Sequence, residues 1–263
     1  SLYRTQLREH PRRTKIAVIG VAAVEIWVGA AFLLFGTNLV GVATQHYNSG
    51  SWDGVSVINV FECGGENAQQ YAELAKSMTQ GKLYLEEEPP NWLQNMDDPY
   101  DRGARDQLVK ETGENYLWDT AYYEGHYYVY FGVVPVLLFY LPFYLVTGAN
   151  FPTAIGVLIG MAFFIAGLSA LLDRFARYHF KRMTTGVFLL LQIAIVTCCG
   201  MPYLLKFPTF YSLPIMLALA FSVWGLYFWM VGRSHSRPEG FYLAGSLCMA
   251  LVVGCRPQLV LLS

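Results

Sequence analysis

Residues 16–36 read IAVIGVAAVEIWVGAAFLLFG, and Glu25 is the one charged side chain among these 21 residues. A helix needs about 20 apolar residues to cross a hydrocarbon core about 30 Å thick, so this segment predicts a transmembrane helix. It is longer than the apolar core of a signal peptide and lacks a convincing small-residue cleavage site, which favours a retained anchor. The segment follows a basic N-terminus, which predicts a cytoplasmic start for the chain; the cations are Arg4, Arg8, Arg12, Arg13 and Lys15.

The composition of the whole chain agrees with a membrane protein. Of its 263 residues, 54% are hydrophobic and 14% are charged, whereas about a quarter of the residues are charged in a typical soluble domain. These proportions exclude a disordered chain, a small disulfide scaffold and a typical soluble enzyme. The net charge is −1 without a basic stripe, which excludes the usual kind of nucleic-acid binder. Residues 37–130 hold 15 of the 19 acidic side chains, so they predict one large polar segment.

Five further hydrophobic spans follow the polar segment. We therefore predict an all-α fold: a polytopic transmembrane helical bundle with a large extracytoplasmic first loop that carries amphipathic juxtamembrane helices. The chain divides into the basic N-terminus and first span (1–36), the acidic loop (37–130) and the remaining bundle (131–263). The terminal LVLLS resembles the start of another span, so we expect an N-terminal part of a longer protein. The predicted spans are 131–148, 153–172, 185–205, 210–231 and 240–255.

The basic loops complicate this topology. Strict alternation of six spans places the loops around Arg174 and Arg233 outside, against the tendency of basic loops to be cytoplasmic. One explanation is that residues 131–148, which contain Pro135 and Pro142, form a re-entrant hairpin instead of a crossing. Another is that an outer basic loop binds an anionic lipid head group. Both explanations stay open at the level of the sequence.

Two amphipathic helices are predicted in the polar segment. In residues 66–80, apolar side chains recur at helical spacing from Tyr71 to Met78, and Gly81 is placed to end that helix. A second short helix is indicated by Asp98 as N-cap with Pro99 at the first helical position, ending near Gly113. An aromatic-rich stretch, residues 116–131, then precedes the next span and suits the headgroup boundary.

Three motifs in this order resemble GT-C membrane glycosyltransferases. They are ENAQQYAELAKSMTQG (66–81), YEGHYY (123–128) followed by a proline-led span ending in Gly148, and GCRP (254–257). The resemblance is to bacterial members of the class and extends from residue 1 to about 257. The sequence departs from the better-known members in lacking their Asp-Glu pair three to four residues before Tyr71. It also lacks their Lys-Pro-Pro at the second span.

The resemblance implies a multi-pass enzyme of the bacterial plasma membrane with an extracytoplasmic catalytic loop. Such an enzyme transfers a sugar, with inversion, from a polyprenyl-phosphate-linked donor to a cell-envelope glycan, lipid or protein. Membrane lipids are its other partners, and some members use a divalent cation. Two alternatives of the same fold remain: a non-catalytic glycan sensor or scaffold, and a transporter of lipid-linked glycans.

The resemblance also implies roles for particular residues. Glu66 is the candidate general base, with Asp53 and Glu62 as alternatives; an acid favoured by a helix N-terminus is the competing interpretation. Arg256 follows 15 apolar residues, so it either binds a phosphate or extends its cation to the interface. The predicted substrate-binding residues are Asn67, Tyr71, Asp119, Tyr123, His126, Tyr127 and Arg256.

Several features have ordinary explanations beside the functional ones. Asp119 is equally a solvated or capping residue, and a lone His126 among aromatics is usually structural. The runs Glu86–Glu88 and Asp97–Asp101 lack the calcium-loop pattern, which favours a solvated acidic face and predicts no metal site. Glu25 and Gln192 are expected to form interhelical hydrogen bonds.

Overall fold

The computed structural model describes residues 6, 7, 9, 11–33, 70–206 and 208–262. Two short strands form a hairpin, β1 (Ala121–Tyr123) with β2 (His126–Tyr128). A π-helix, Val136–Tyr140, leads directly into α5, and a 3-10 helix, Pro257–Leu262, ends the described chain. The α-helices are α1 (Pro11–Ala31), α2 (Gln70–Thr79), α3 (Asn91–Gln94), α4 (Arg102–Thr112), α5 (Leu141–Thr147), α6 (Thr153–His179), α7 (Thr185–Cys198), α8 (Met201–Lys206), α9 (Ser212–Gly232) and α10 (Glu239–Cys255).

Three of these helices, α1, α6 and α9, are long and apolar enough to cross a membrane. Three other apolar segments are shorter: Val136–Thr147, α7 and α10. The predicted span 185–205 is divided into α7 and α8, and Gly200 between them has a positive φ of 85°. The described residues therefore agree with the predicted all-α class and with a membrane protein, with six apolar segments of unequal length.

Helices α6 and α9 run side by side in the same direction. Gly156, Gly160 and Gly167 of α6 lie against Leu213, Met216 and Trp224 of α9 in that order. These small residues let the two backbones approach closely, as is common between membrane helices. The indole of Trp224 also donates a hydrogen bond to the carbonyl of Phe163 (2.9 Å). Helix α10 runs in the opposite direction, because Gly225 of α9 packs on Met249 and Gly232 packs on Tyr242.

Helices α1 and α7 also run in the same direction. The Leu7 amide donates to the Met183 carbonyl (2.9 Å), and the hydroxyls of Thr14 and Thr185 are 3.1 Å apart. Further along, the Gln192 amide donates to the Glu25 carboxylate at 2.9 Å. This is the interhelical hydrogen bond expected of Glu25 and Gln192.

These directions give the bundle two chemically different ends. The basic end consists of the start of α1, residues 180–184 and residues 233–238. The acidic end consists of the loop residues 208–211 and of residues 70–130, the described part of the polar segment, which we call the outer segment from here on. The segment 131–148 begins and ends near the acidic end. The Gly132 amide donates to the Cys255 carbonyl (3.2 Å), and a short loop after Gly148 leads to α6, whose first residue, Thr153, has its hydroxyl 2.6 Å from that of Tyr140. The helical part of this segment, five π-helical and seven α-helical residues, is about 18 Å long at 1.5 Å per residue, shorter than a hydrocarbon core.

The outer segment contains both predicted helices, with one correction. Helix α2 ends before Gly81, which adopts a positive φ of 77°. Helix α4 ends at Gly113 as predicted, but its N-cap is Asp101. The Asp101 carboxylate accepts the amides of Gly103 (2.9 Å) and Ala104 (3.2 Å). The prediction of Asp98 as N-cap was wrong, because its carboxylate accepts the Tyr100 amide in a turn that precedes the helix (2.9 Å).

The hairpin places the aromatic motif just before the membrane helices. Ala121 pairs with Tyr128 and Tyr123 with His126, which leaves the two-residue turn Glu124-Gly125. Both turn residues have positive φ, 47° and 79°, the conformation of a type I′ turn that matches the twist of paired strands.

Candidate functional site

Arg256 lies at the acidic end, directly after α10, in an extended conformation that ends the helix. One guanidinium nitrogen, Nη2, donates to the Tyr211 carbonyl at 3.1 Å. The guanidinium carbon lies 5.1 Å from the centroid of the Phe131 ring, within cation–π range. The Nε atom is buried and has no hydrogen-bond partner among the described residues. Arg256 is therefore held against protein by one hydrogen bond and one ring contact, while its Nε has no partner among the described residues.

Tyr71 lies beneath this cation and is almost fully buried. Its hydroxyl donates to the Gly132 carbonyl (3.2 Å), and its ring contacts those of Tyr140 and Phe210 edge to face. Burial raises the pKa of Tyr71 far above its usual value, so the phenol stays neutral and acts as a donor. The Gly132 amide in turn donates to Cys255, the residue before Arg256.

Glycine is required where these two segments meet. A Cβ on Gly132 would overlap the Gly254 carbonyl, and one on Gly254 would meet the Val134 side chain. The close approach fixes the end of α10 against the start of segment 131–148. It therefore sets the position of Arg256 relative to Tyr71.

Asp119 completes the cluster from the outer segment. Its carboxylate accepts hydrogen bonds from the hydroxyls of Tyr211 and Tyr130, the latter at 3.3 Å. It caps none of the described helices, and its φ is positive, 57°, an uncommon conformation for a residue other than glycine. Because the Tyr211 carbonyl accepts from Arg256, Tyr211 connects the cation to the carboxylate. Burial, followed by the nearby Asp119 charge, raises the pKa of Tyr130.

Two of the three hairpin residues predicted to bind substrate, His126 and Tyr127, contact other parts of the outer segment. The third, Tyr123, is 62% exposed. The His126 ring stacks on Tyr84 with a centroid distance of 3.9 Å, consistent with a structural histidine. The Tyr127 hydroxyl is buried and accepts the Leu117 amide (3.3 Å), and burial raises its pKa to about 12. The placement of Tyr127 favours packing over substrate contact.

The predicted base and its alternatives lie outside the described residues. They are Glu66, Asp53 and Glu62, together with the predicted substrate contact Asn67. Immediately after this part of the chain, the buried Gln70 donates to the Trp118 carbonyl (2.8 Å), while its Oε1 has no partner among the described residues. Gln70 thus ties the start of α2 to the residue before Asp119.

Sequence reasoning missed three contributors to the cluster: Tyr211, Tyr130 and Phe131. Tyr130 and Phe131 belong to the aromatic stretch that was assigned to the headgroup boundary. Tyr211 lies in the short loop before α9, where a polar aromatic residue at a span end is equally ordinary. The signal that could have found Tyr211 is its position opposite Arg256, at the same end of neighbouring antiparallel spans.

The acidic runs of the outer segment are engaged in local contacts. Glu86 lies 3.7 Å from the Lys76 ammonium and 3.4 Å from that of Lys82, and the hydrogen bond from Lys82 lowers its pKa. Asp98 and Asp101 bind backbone amides. Within the described ranges, no group of three or more His, Cys, Asp or Glu side chains is arranged to hold a metal ion.

The cluster thus combines one cation, one carboxylate and several hydroxyl groups where the outer segment meets the apolar helices. An anionic group could bind the guanidinium of Arg256, and hydroxyl groups could bind Asp119. No protein-family model, curated protein or solved structure matches the chain.

Proposed function

We propose that the chain is a membrane glycosyltransferase of the GT-C type. It transfers a sugar, with inversion, from a polyprenyl-phosphate-linked donor to a cell-envelope acceptor at the acidic end. The observation that carries this proposal is the partly buried Arg256, whose Nε is unpartnered among the described residues and which Tyr211 links to Asp119. The motif resemblance supports the same class of reaction.

The leaving group of this reaction is a lipid phosphate, which gains charge as its bond to the sugar breaks. A fixed guanidinium stabilises such a charge, and arginine suits phosphate because it donates several hydrogen bonds in one plane. Arg256 is the described cation best placed for this role. The carboxylate of Asp119 accepts hydrogen bonds from hydroxyls in the structure, so sugar hydroxyls are suitable partners for it.

The acceptor hydroxyl must lose a proton as it attacks. The acceptor oxygen forms the new bond to the anomeric carbon on the face opposite the leaving phosphate, and the proton passes to a carboxylate. Glu66 is the proposed base, since it precedes α2 on the outer segment. Tyr71 is a positioning residue, because its hydroxyl binds the carbonyl of Gly132, whose amide binds Cys255, the residue before Arg256.

The same proposal assigns the orientation in the membrane. With segment 131–148 beginning and ending at the acidic end, the chain crosses five times: through α1, α6, the α7–α8 pair, α9 and α10. The N-terminus and both basic loops then share the cytoplasmic side of a bacterial plasma membrane, as the distribution of Lys and Arg favours. This arrangement removes the conflict that six crossings would create.

Transfer by the purified full-length protein tests the proposal, using a panel of polyprenyl-phosphate sugars as donors. We expect Glu66→Gln to reduce transfer by about 10² to 10⁴-fold, the usual contribution of a general base. Arg256→Gln should also reduce transfer strongly, and Arg237→Gln is the matched control, an exposed arginine at the basic end. Transfer that survives Glu66→Gln would move the base to Asp53 or Glu62. Absence of transfer with every donor, while donor lipid still binds, would favour the sensor or the transporter.

A further inference from the structure

An apolar groove lies far from this site, between α6, α9 and α10 near the basic end. Its volume is about 560 Å³, and Arg233 is the one charged side chain in its lining. The apolar part of the lining includes Leu171 and Phe175 of α6, Leu226 and Trp229 of α9, and Tyr242 of α10. Along α9 the groove extends from Leu226 to Arg233, about 10 Å at 1.5 Å per residue.

The groove walls face outward from the bundle. Phe175, Leu226 and Tyr242 remain 43%, 45% and 41% exposed. In a membrane, such a surface contacts acyl chains. Trp229 and Tyr242 are also the residue types that favour the boundary between hydrocarbon and headgroups.

The mouth of the groove is positively charged. Arg233 ends α9 and forms no ion pair within the described part of the chain. Arg174 donates to the hydroxyl of Ser234, which brings a second guanidinium next to Arg233. Of the acids nearby, Asp173 is paired with Arg177 (2.8 Å), whereas Glu239 at the start of α10 is exposed. Positive charge therefore dominates at this opening.

We propose that this groove binds an anionic phospholipid of the surrounding leaflet. The acyl chain lies between α6 and α9, and the headgroup phosphate binds Arg233 and Arg174. The charged mouth at the end of an apolar groove favours an amphiphilic ligand. A soluble anion could bind the cations but would leave the apolar walls of the groove uncovered. Basic pockets between membrane helices bind anionic headgroups in this manner. The inference is independent of the transferase activity.

Fluorescence quenching in detergent tests the site directly, since Trp229 lines the groove. Purified protein is titrated with phosphatidylglycerol or phosphatidylcholine carrying brominated acyl chains. The part of the tryptophan quenching that is absent from Trp229→Phe is taken as the signal from the groove. We expect phosphatidylglycerol to bind at least about fivefold more tightly than phosphatidylcholine. Arg233→Gln should weaken phosphatidylglycerol binding about fivefold, the effect of one basic residue near an anionic lipid. Arg233→Lys should retain most of the affinity.

The matched control is Arg12→Gln, which removes one exposed cation from the same end outside the groove. Equal binding of the two lipids, or equal weakening by Arg12→Gln and Arg233→Gln, would overturn the proposal. A groove variant, Leu226→Phe, keeps every charge and adds no tryptophan, and it should reduce binding by filling the apolar part. It provides the test if Arg233→Gln alters folding, which circular dichroism and size-exclusion chromatography detect. Undiminished binding by a folded Leu226→Phe protein would also overturn the proposal.

Discussion

At the scale of single residues, the structure brings together three of the side chains chosen from the sequence. Tyr71, Asp119 and Arg256 occupy one cluster, although 185 positions separate the first from the last. Of the residues that connect them, Gly132 carries no signal in a single sequence, and Tyr211 is marked only by its position at the same span end as Arg256. Their place in the cluster arises from a backbone contact and a shared carbonyl. Sequence reasoning therefore selected three of the clustered side chains but not the positions that bring them together.

Tyr127 provides a test of side-chain burial through the pH dependence of stability. Its pKa rises to about 12 because it is buried, whereas an unfolded tyrosine ionises near 10. Between these two values the unfolded chain releases a proton that the native protein keeps, so the contribution of Tyr127 to stability falls as pH increases. We expect the stability difference between wild type and Tyr127→Phe to narrow from about pH 10 to about pH 12. Chemical unfolding in detergent over that range measures it.

The exposed Tyr178 supplies the control for that experiment, through Tyr178→Phe. That variant removes an exposed phenol hydroxyl, so it reports the effect of the substitution on the same measurement without a change in the core. A constant difference between wild type and Tyr127→Phe over this range would show that the buried phenol ionises equally in both states, contrary to the packing described.

At the scale of elements, the cap of α4 separates two similar aspartates. Asp101 accepts two amides at the helix N-terminus, whereas Asp98 accepts the amide of Tyr100 before the helix starts. We expect Asp101→Ala to lower the free energy of unfolding by about 1 kcal/mol, the usual effect of losing an N-cap. Asp98→Ala should lower the free energy of unfolding by less than this, because it removes a turn hydrogen bond at an exposed site and not a helix cap. Urea unfolding monitored by circular dichroism compares the two, and equal losses would contradict the assigned cap.

The apolar elements show what hydropathy can and cannot specify. The patterns of residues 153–172 and 210–231 correspond to long helices, because the first contains no proline and Pro214 of the second falls in the first turn of α9, where proline is tolerated. Segment 131–148 is similarly apolar, yet its helical part is short and packs on α2. Hydropathy reports how apolar a segment is. Where the segment begins and ends in space depends on contacts such as Tyr140 with Thr153, which are tertiary.

At the scale of the whole molecule, the separation of charge predicts accessibility from the two sides of the membrane. Single cysteines can be introduced into a background that lacks the five native ones, and intact cells treated with an impermeant maleimide. We expect Lys82→Cys, at the acidic end, to react from outside. Ala149→Cys should also react from outside, because its loop leads to the start of α6 at the same end. Ser236→Cys should react only after the membrane is permeabilised. If Lys82→Cys reacts in intact cells and Ala149→Cys does not, segment 131–148 crosses the membrane, contrary to this proposal.

The hydrogen bond between Gly132 and Cys255 also determines when the site can exist during synthesis. Translation proceeds from the N-terminus at about 5 to 20 residues per second, so more than a hundred residues are added after Gly132 before its partner is made. Tyr71 and Asp119 are therefore already synthesised while Arg256 is still absent. A chain that stalls before residue 255 would hold its first helices without the complete cluster, so the nascent protein acquires the cation of the cluster last.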